Sequence, residues 1–281
     1  MGSVIGGNIF NVLVILGLCS LIIPLRVARQ VLHIDIPLMI GACLLAIGLS
    51  WSGEFSKFDG ALLLVALLVC LVIIIRQGGQ SPRHGRAATS GKPRTFTRMA
   101  MLAAGLLMLI AGGHLLVDAS VVIAIHLGLS ERIIGLTVIA IGTSLPALMT
   151  SLIAALRGER DIAVGNVIGS NLFNLLGVLG LTALVAPTPL TISPNALVFD
   201  LPIMLGVSLL CVPLFYSGYR MDRIEGLLLL ALYLTYGLHI LAISTGMALA
   251  ERLEGLMLTF ALPVLGIIVA WGTVRAWRRQ H

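Results

Sequence analysis

Polar positions along this chain are gathered mostly into short breaks between long apolar stretches. Apolar runs lie near 4–24, 34–51, 59–75, 99–125, 132–156, 162–186, 196–216, 224–243 and 254–274. Each is long enough to cross about 30 Å of hydrocarbon at about 1.5 Å per residue. The pattern predicts an all-α polytopic membrane protein of nine transmembrane helices. Between the third and fourth runs, the segment RQGGQSPRHGRAATSGKPRTFTR has no apolar periodicity and reads as a flexible linker.

Two of the runs share their wording. With Gly2 set against Gly165 and Pro24 against Pro187, 13 of 23 positions are identical. The likeness continues from DIPLMIG at 35–41 to DLPIMLG at 200–206, and from WSGEFSKFDGALLL to YSGYRMDRIEGLLL. Three consecutive helices therefore repeat. The second unit opens with two helices, 99–125 and 132–156, that have no upstream counterpart. The first unit thus reads as lacking two spans, through truncation, a misassigned start, or because a partner chain supplies them. The division expected is 1–76 for the first, incomplete unit, 77–98 for the linker, 99–243 for the second unit and 244–281 for an extra helix with a basic tail.

Composition fixes the solvent, and charge fixes the orientation. The chain is 58% hydrophobic and 11% charged, against about 25% charged in soluble domains. Taking alternate loops, 15 of the 18 Lys and Arg fall on one side. That side is cytoplasmic by the positive-inside rule, and the C-terminus lies on it. The helix at 4–24 then runs inward and its mate at 162–186 outward. The basic balance is a topology signal and not a nucleic-acid face. Met1 is followed by no basic n-region and no small-residue cleavage site, so no signal peptide is read. The expected location is the plasma membrane, the inner membrane in a bacterium, with the lipid bilayer as the surrounding partner. Cys19, Cys43, Cys70 and Cys211 all lie inside apolar runs and read as small apolar side chains.

Candidate chemistry is concentrated at 135–161 and on the repeated helix that follows directly. Ala140, Thr143, Ser144, Ala147 and Ser151 share one side of a helix at spacings of three and four. Pro146 removes the helical donor for the Gly142 carbonyl, which can then face a cavity. On the next helix Asn166, Ser170 and Asn174 recur every fourth residue, with Ser3, Gly7 and Asn11 in register in the first copy. Hydroxyl, amide and carbonyl oxygens beside a helix break can replace the water of a hard cation. Such residues also serve close helix packing, as Gly165 and Gly169 would, and Asn8 and Asn171 read as bonding across helices. Inverted repeats with a midplane site are typical of secondary transporters.

There is no HExxH, no aspartate pair within a span and no Ser/His pairing of suitable spacing, so an intramembrane enzyme is not expected, nor any bound cofactor. His114 and Asp118, four apart, read as an ion or hydrogen-bonded pair, with proton passage as the other reading. Asp35 and Asp200 stand before proline-containing helix starts and read as caps. The remaining histidines suggest no chemistry.

GTSLPALMTSLIAAL with DIAVGNVIGSNLFNLLGVLG resembles the second alpha-repeat of the cation/calcium exchanger superfamily, in particular its bacterial sodium/calcium antiporter branch; the opening GSVIGGNIFNVLVILG is similar to the latter part of the first. The resemblance implies an inverted-repeat exchanger fold, here with three helices of the first repeat, five of the second and one extra. It also implies export of Ca2+ against Na+ entry by alternating access. Its ion-site positions fall on Thr143, Ser144, Ser170, Asn174 and Asn11, with Gly142 at the helix break. Gly7 replaces an expected serine, Ala147 occupies the position of an expected glutamate, and the first repeat's glutamate would lie on a helix this chain lacks. A divalent ion in low dielectric needs opposing charge, so the alternative is a truncated, non-transporting relic or a membrane interaction subunit of the same family.

Overall fold

The structure, a computed structural model, describes residues 1–78, 95–126, 139–216 and 218–244. The expected helix at 254–274, the basic tail and most of the linker lie outside these residues. Eight helices are described: α1 (Gly2–Ile22), α2 (Val31–Ser50), α3 (Lys57–Gly78), α4 (Thr95–His126), α5 (Ala140–Leu156), α6 (Arg160–Val185), α7 (Ala196–Tyr216) and α8 (Arg223–Ser244). Six of them are both long and apolar enough to cross a membrane; α5 is a shorter apolar helix, and α4 holds a short apolar stretch, Ala111–Ile123. Helices are the expected outcome because hydrocarbon offers no partner to a free backbone N–H or C=O.

α1 and α6 form the centre. In α1, 78% of the most apolar window is buried, and in α6 56%, against 17% in α3. They cross antiparallel: the Arg160 guanidinium at the start of α6 donates to the carbonyl of Pro24 just past the end of α1, at 3.2 Å, while Gly7 near the start of α1 lies beside Asn174 well along α6. The inverted arrangement expected from the charge count is therefore present. α5 packs on both central helices, with α4 behind it, and α2 packs on α7. The terminal turns of α1 rest on α8, and those of α6 on α3.

These last two contacts are the same contact made twice. A Cβ on Gly60 would sit 2.7 Å from the carbonyl oxygen of Gly180, and one on Gly226 would sit 2.7 Å from that of Gly17. The glycines let the backbones touch, which is the packing available to helices that gain no hydrophobic energy from leaving lipid.

The units also exchange short strands. β1 (Leu25–Arg26) pairs antiparallel with β4 (Arg220–Met221), and β2 (Glu54–Phe55) with β3 (Leu190–Thr191). Each ribbon joins the segment after a central helix of one unit to the α2–α3 or α7–α8 turn of the other. Those turns pass through Gly53 at φ 80° and Gly218 at φ 93°, the glycine of the repeated Ser-Gly in each copy. The helical reading of the sequence predicts neither ribbon, because two-residue pairings leave no periodicity.

At the crossing, Asn8 and Asn171 face each other. The Asn8 amide donates to the carbonyl of Asn171 at 3.3 Å, and the Asn171 amide to the carbonyl of Asn8 at 3.2 Å. Each amide also points at a methionine sulfur of the opposite unit, Met204 and Met39, at 3.8 Å. Both residues bond across helices as expected from the repeat.

Two expectations are corrected. Asp35 and Asp200 are not caps: each ends a π-helical turn, Val31–Asp35 and Ala196–Asp200, inside its helix. The π turn places the carboxylate on the inward side, where Asp200 is buried and accepts from the Tyr236 hydroxyl at 3.4 Å. His114 and Asp118 are both exposed on α4 and form no pair with each other among the described residues. Facing outward, neither side chain is brought against the other by packing. The four cysteines are buried and free, as expected.

Two outcomes follow. Gly60→Val or Gly226→Val should lower the thermal midpoint in detergent by the equivalent of about 1–3 kcal/mol, the usual cost of overpacking, whereas Gly48→Ala, with nothing within 4 Å, should leave it unchanged. Asn171→Leu should cost about 1–3 kcal/mol for each buried group left unpaired; chemical unfolding in mixed micelles measures it, and an unchanged midpoint would remove the amide clamp from the list of stabilising contacts.

Candidate functional site

The oxygen-lined seam lies where α1, α5 and α6 meet. Both central helices switch to π geometry at the corresponding asparagine, over Asn11–Leu16 in α1 and Asn174–Val178 in α6. A π turn offsets the backbone register and often marks a functional position. From these turns the Asn11 amide donates to the side-chain oxygen of Asn171 at 2.9 Å, and the Asn174 amide to that of Asn8 at 3.0 Å. With the Asn8–Asn171 pair, four asparagines form a closed network with twofold symmetry.

Closing the network uses the amide nitrogens of Asn11 and Asn174 and leaves their oxygens over. Asn11 is 1% exposed, and its Oδ1 has no hydrogen-bond partner. An amide oxygen left bare in a membrane interior carries a desolvation cost that a ligand could remove. One turn before Asn11 on α1, Gly7 faces the buried Ser144 of α5: a methyl group on Gly7 would lie 3.4 Å from Ser144 Oγ and 3.9 Å from Asn174 Nδ2. Three helices thus converge on one point, and the absence of a side chain at Gly7 leaves the space open. Ser170, one turn before Asn174, is half-buried on the same face of α6.

The rest of the α5 face is used differently along its length. The Asn166 amide donates to Ser151 Oγ at 2.9 Å and to the Ala147 carbonyl at 3.3 Å, fastening α5 to α6. Ala147 lies between Ser144 and Ser151 on that face. Thr143 is exposed and donates to the carbonyls of Ile139 and Ala140 on its own helix, at 2.8 and 3.2 Å. Gly142 is buried against α4, where a Cβ would collide with Val117, and its carbonyl oxygen lies 3.4 Å from where Gly113 would carry one. The structure therefore brings Ser144 and Asn174 together at Gly7, with Asn11 and Ser170 each one turn away along α1 and α6, and leaves out Thr143 and the Gly142 carbonyl.

What sequence reasoning missed is the role of Met39 and Met204 as sulfur contacts for the clamp. Their matching place in the repeated DIPLM and DLPIM was the available signal. Among the described residues no group of three or more His, Cys, Asp and Glu side chains could hold a metal ion. The seam is polar and neutral.

Comparison with known proteins agrees with this geometry. Residues 1–76 and 97–242 match the model of the sodium/calcium exchanger protein family. The chain is similar to the putative antiporter CaxA of Alkalimonas amylolytica, 36% identical over 245 residues that cover 84% of this chain and 76% of that one. It is also similar to the inner membrane protein YrbG of Escherichia coli (strain K12), 39% identical over 221 residues, 75% of this chain and 66% of that one. Among solved structures it resembles the sodium-calcium exchanger NCX_Mj, with a TM-score of 0.67 and 31% identity over 86% of this chain and 75% of that one. An inverted pair of asparagine-clamped helices, read with these matches, makes this multi-pass membrane protein a member of the sodium/calcium exchanger family of ion transporters.

Proposed function

We propose that the protein is a secondary cation transporter with the architecture of a Na+/Ca2+ antiporter, working by alternating access with the ion held where α1, α5 and α6 converge, and that the missing site carboxylates leave the chain as it stands with little Ca2+ transport. The observation that carries this reading is the unpartnered Oδ1 of Asn11, buried at an inverted helix crossing one turn from Gly7, where Ser144 and Asn174 meet. Those three side chains, with Ser170, supply the described oxygens. Asn8 and Asn171 hold the two helices in register and leave the ligand oxygens of their neighbours free. The plasma membrane is the proposed location, and the arginine asymmetry supports a cytoplasmic position for the β1–β4 end.

The described seam carries no acidic side chain, and Ala147 stands on the α5 face where the family's glutamate is expected. A unit charge about 4 Å away contributes about 4 kcal/mol at an effective dielectric of about 20, more than a neutral oxygen can offer a divalent ion. Neutral oxygens suit Na+ better than Ca2+. The same observation favours a second reading, a non-transporting subunit or relic of the family.

Calcium uptake into sodium-loaded vesicles separates the readings. The 281-residue chain should take up Ca2+ little faster than empty vesicles, and Ala147→Glu should raise sodium-dependent uptake several-fold. Robust uptake by the unaltered chain would refute the inference from missing charge. No gain in the folded variant, checked by its melting profile, would favour the non-transporting reading.

A further inference from the structure

At the end of the molecule where α1 finishes and α6 and α8 begin, an open cavity is lined by Pro24, Leu25, Arg26, Arg160, Arg220 and Asp222. Arg26 and Arg220 stand directly opposite each other in the β1–β4 pairing. Like charges facing across a strand pair are destabilising, yet Arg160 adds a third guanidinium to the same cavity. None of the three forms an ion pair among the described residues. Arg160 is half-buried and held by its bond to the Pro24 carbonyl, which fixes its position without touching its charge. Asp222 is the one carboxylate in the lining, so the cavity keeps a net positive charge. The other ribbon has nothing comparable, with Glu54 opposite Thr191 and Phe55 opposite Leu190. Repeat symmetry therefore does not account for the cluster.

Its surroundings are apolar and uncovered. Leu21 and Ile22 at the end of α1, Ile162 on α6 and Ile224 on α8 are exposed, Ile224 by 82%. Guanidinium forks at the mouth of such a surface match a phosphate diester whose acyl chains run along the helices.

We propose that this cavity binds the phosphate headgroup of an anionic phospholipid, clamped by arginines from both repeats. Arg26 comes from the first unit and Arg160 and Arg220 from the second, so a bound headgroup ties the units together at this end. The occupant is a lipid and not free phosphate, because the charge lies at the rim of the membrane-facing apolar surface. This inference does not depend on whether the seam transports Ca2+.

The test uses the full chain in detergent, titrated with phosphatidylglycerol or phosphatidylcholine and followed by thermal melting and native mass spectrometry. Phosphatidylglycerol should raise the midpoint and remain bound, and phosphatidylcholine should do neither. Arg26→Gln and Arg220→Gln should each weaken phosphatidylglycerol binding about fivefold, the expected effect of one basic side chain near an anionic surface. Asp222→Asn keeps a capping side chain at the start of α8 and should tighten binding by a similar factor, a gain that misfolding cannot imitate. Equal response to both lipids, or unchanged affinity in all three variants, would overturn the proposal. So would inorganic phosphate producing the full shift without lipid, which would identify a free-phosphate site.

Discussion

The structure depends on four asparagine side chains that bond chiefly to one another. α1 and α6 are the most buried of the membrane-length helices, and at their crossing Asn8, Asn11 and Asn171 are almost wholly buried. A single buried asparagine there would cost several kcal/mol if unpaired. Two from each helix, placed three residues apart, close a network in which every amide nitrogen finds an oxygen. Since the network closes only in one register, it fixes the angle and depth of the crossing as well as its stability. The amide oxygens of Asn11 and Asn174 are left over after closure, within a turn of the space at Gly7, so the constraint that locks the helices also leaves the candidate ligands free.

Around this crossing the molecule repeats its devices under an approximate twofold axis. Glycine contacts at Gly17–Gly226 and Gly60–Gly180, π turns at Asn11 and Asn174, methionine sulfurs at Met39 and Met204, and left-handed turns at Gly53 and Gly218 all occur in pairs. The capping carboxylates are paired too, with Asp59 bonding back to the Ser56 N–H and Glu225 to the Asp222 N–H, both at 2.8 Å. A pair of this kind is explained by packing, because each copy faces the same problem in the same fold. The informative places are where the pairing fails. Gly7 stands opposite Ser170, which opens one side of the seam, and three arginines collect at one ribbon and not the other.

Much of this was legible in the residues. The apolar runs placed seven of the eight described helices within a few residues of both ends and the eighth, α5, at its C-terminal end, its expected start at 132 lying outside the described residues; identity at Asn8, Asn11 and Phe10 with their mates exposed the repeat. Charge asymmetry gave opposite senses to the two copies, and the Arg160 to Pro24 contact bears that out. The caps assigned to Asp35 and Asp200 failed because a π turn shifts the register by one residue, and no propensity reports it. The pair expected of His114 and Asp118 failed because four-residue spacing brings two side chains to one face without saying what covers that face.

By itself the sequence determined the solvent, the helices, the duplication and the family, since each follows from composition or from matching strings that need no third dimension. Only the tertiary structure decided which polar atoms are consumed by one another and which are left over. Thr143 and Ser144 are adjacent in sequence and equally polar, yet one bonds to its own backbone at the surface and the other is buried against α1. That difference depends on the helix crossing, where contacts come from residues about 160 positions apart, and a one-dimensional pattern does not contain them.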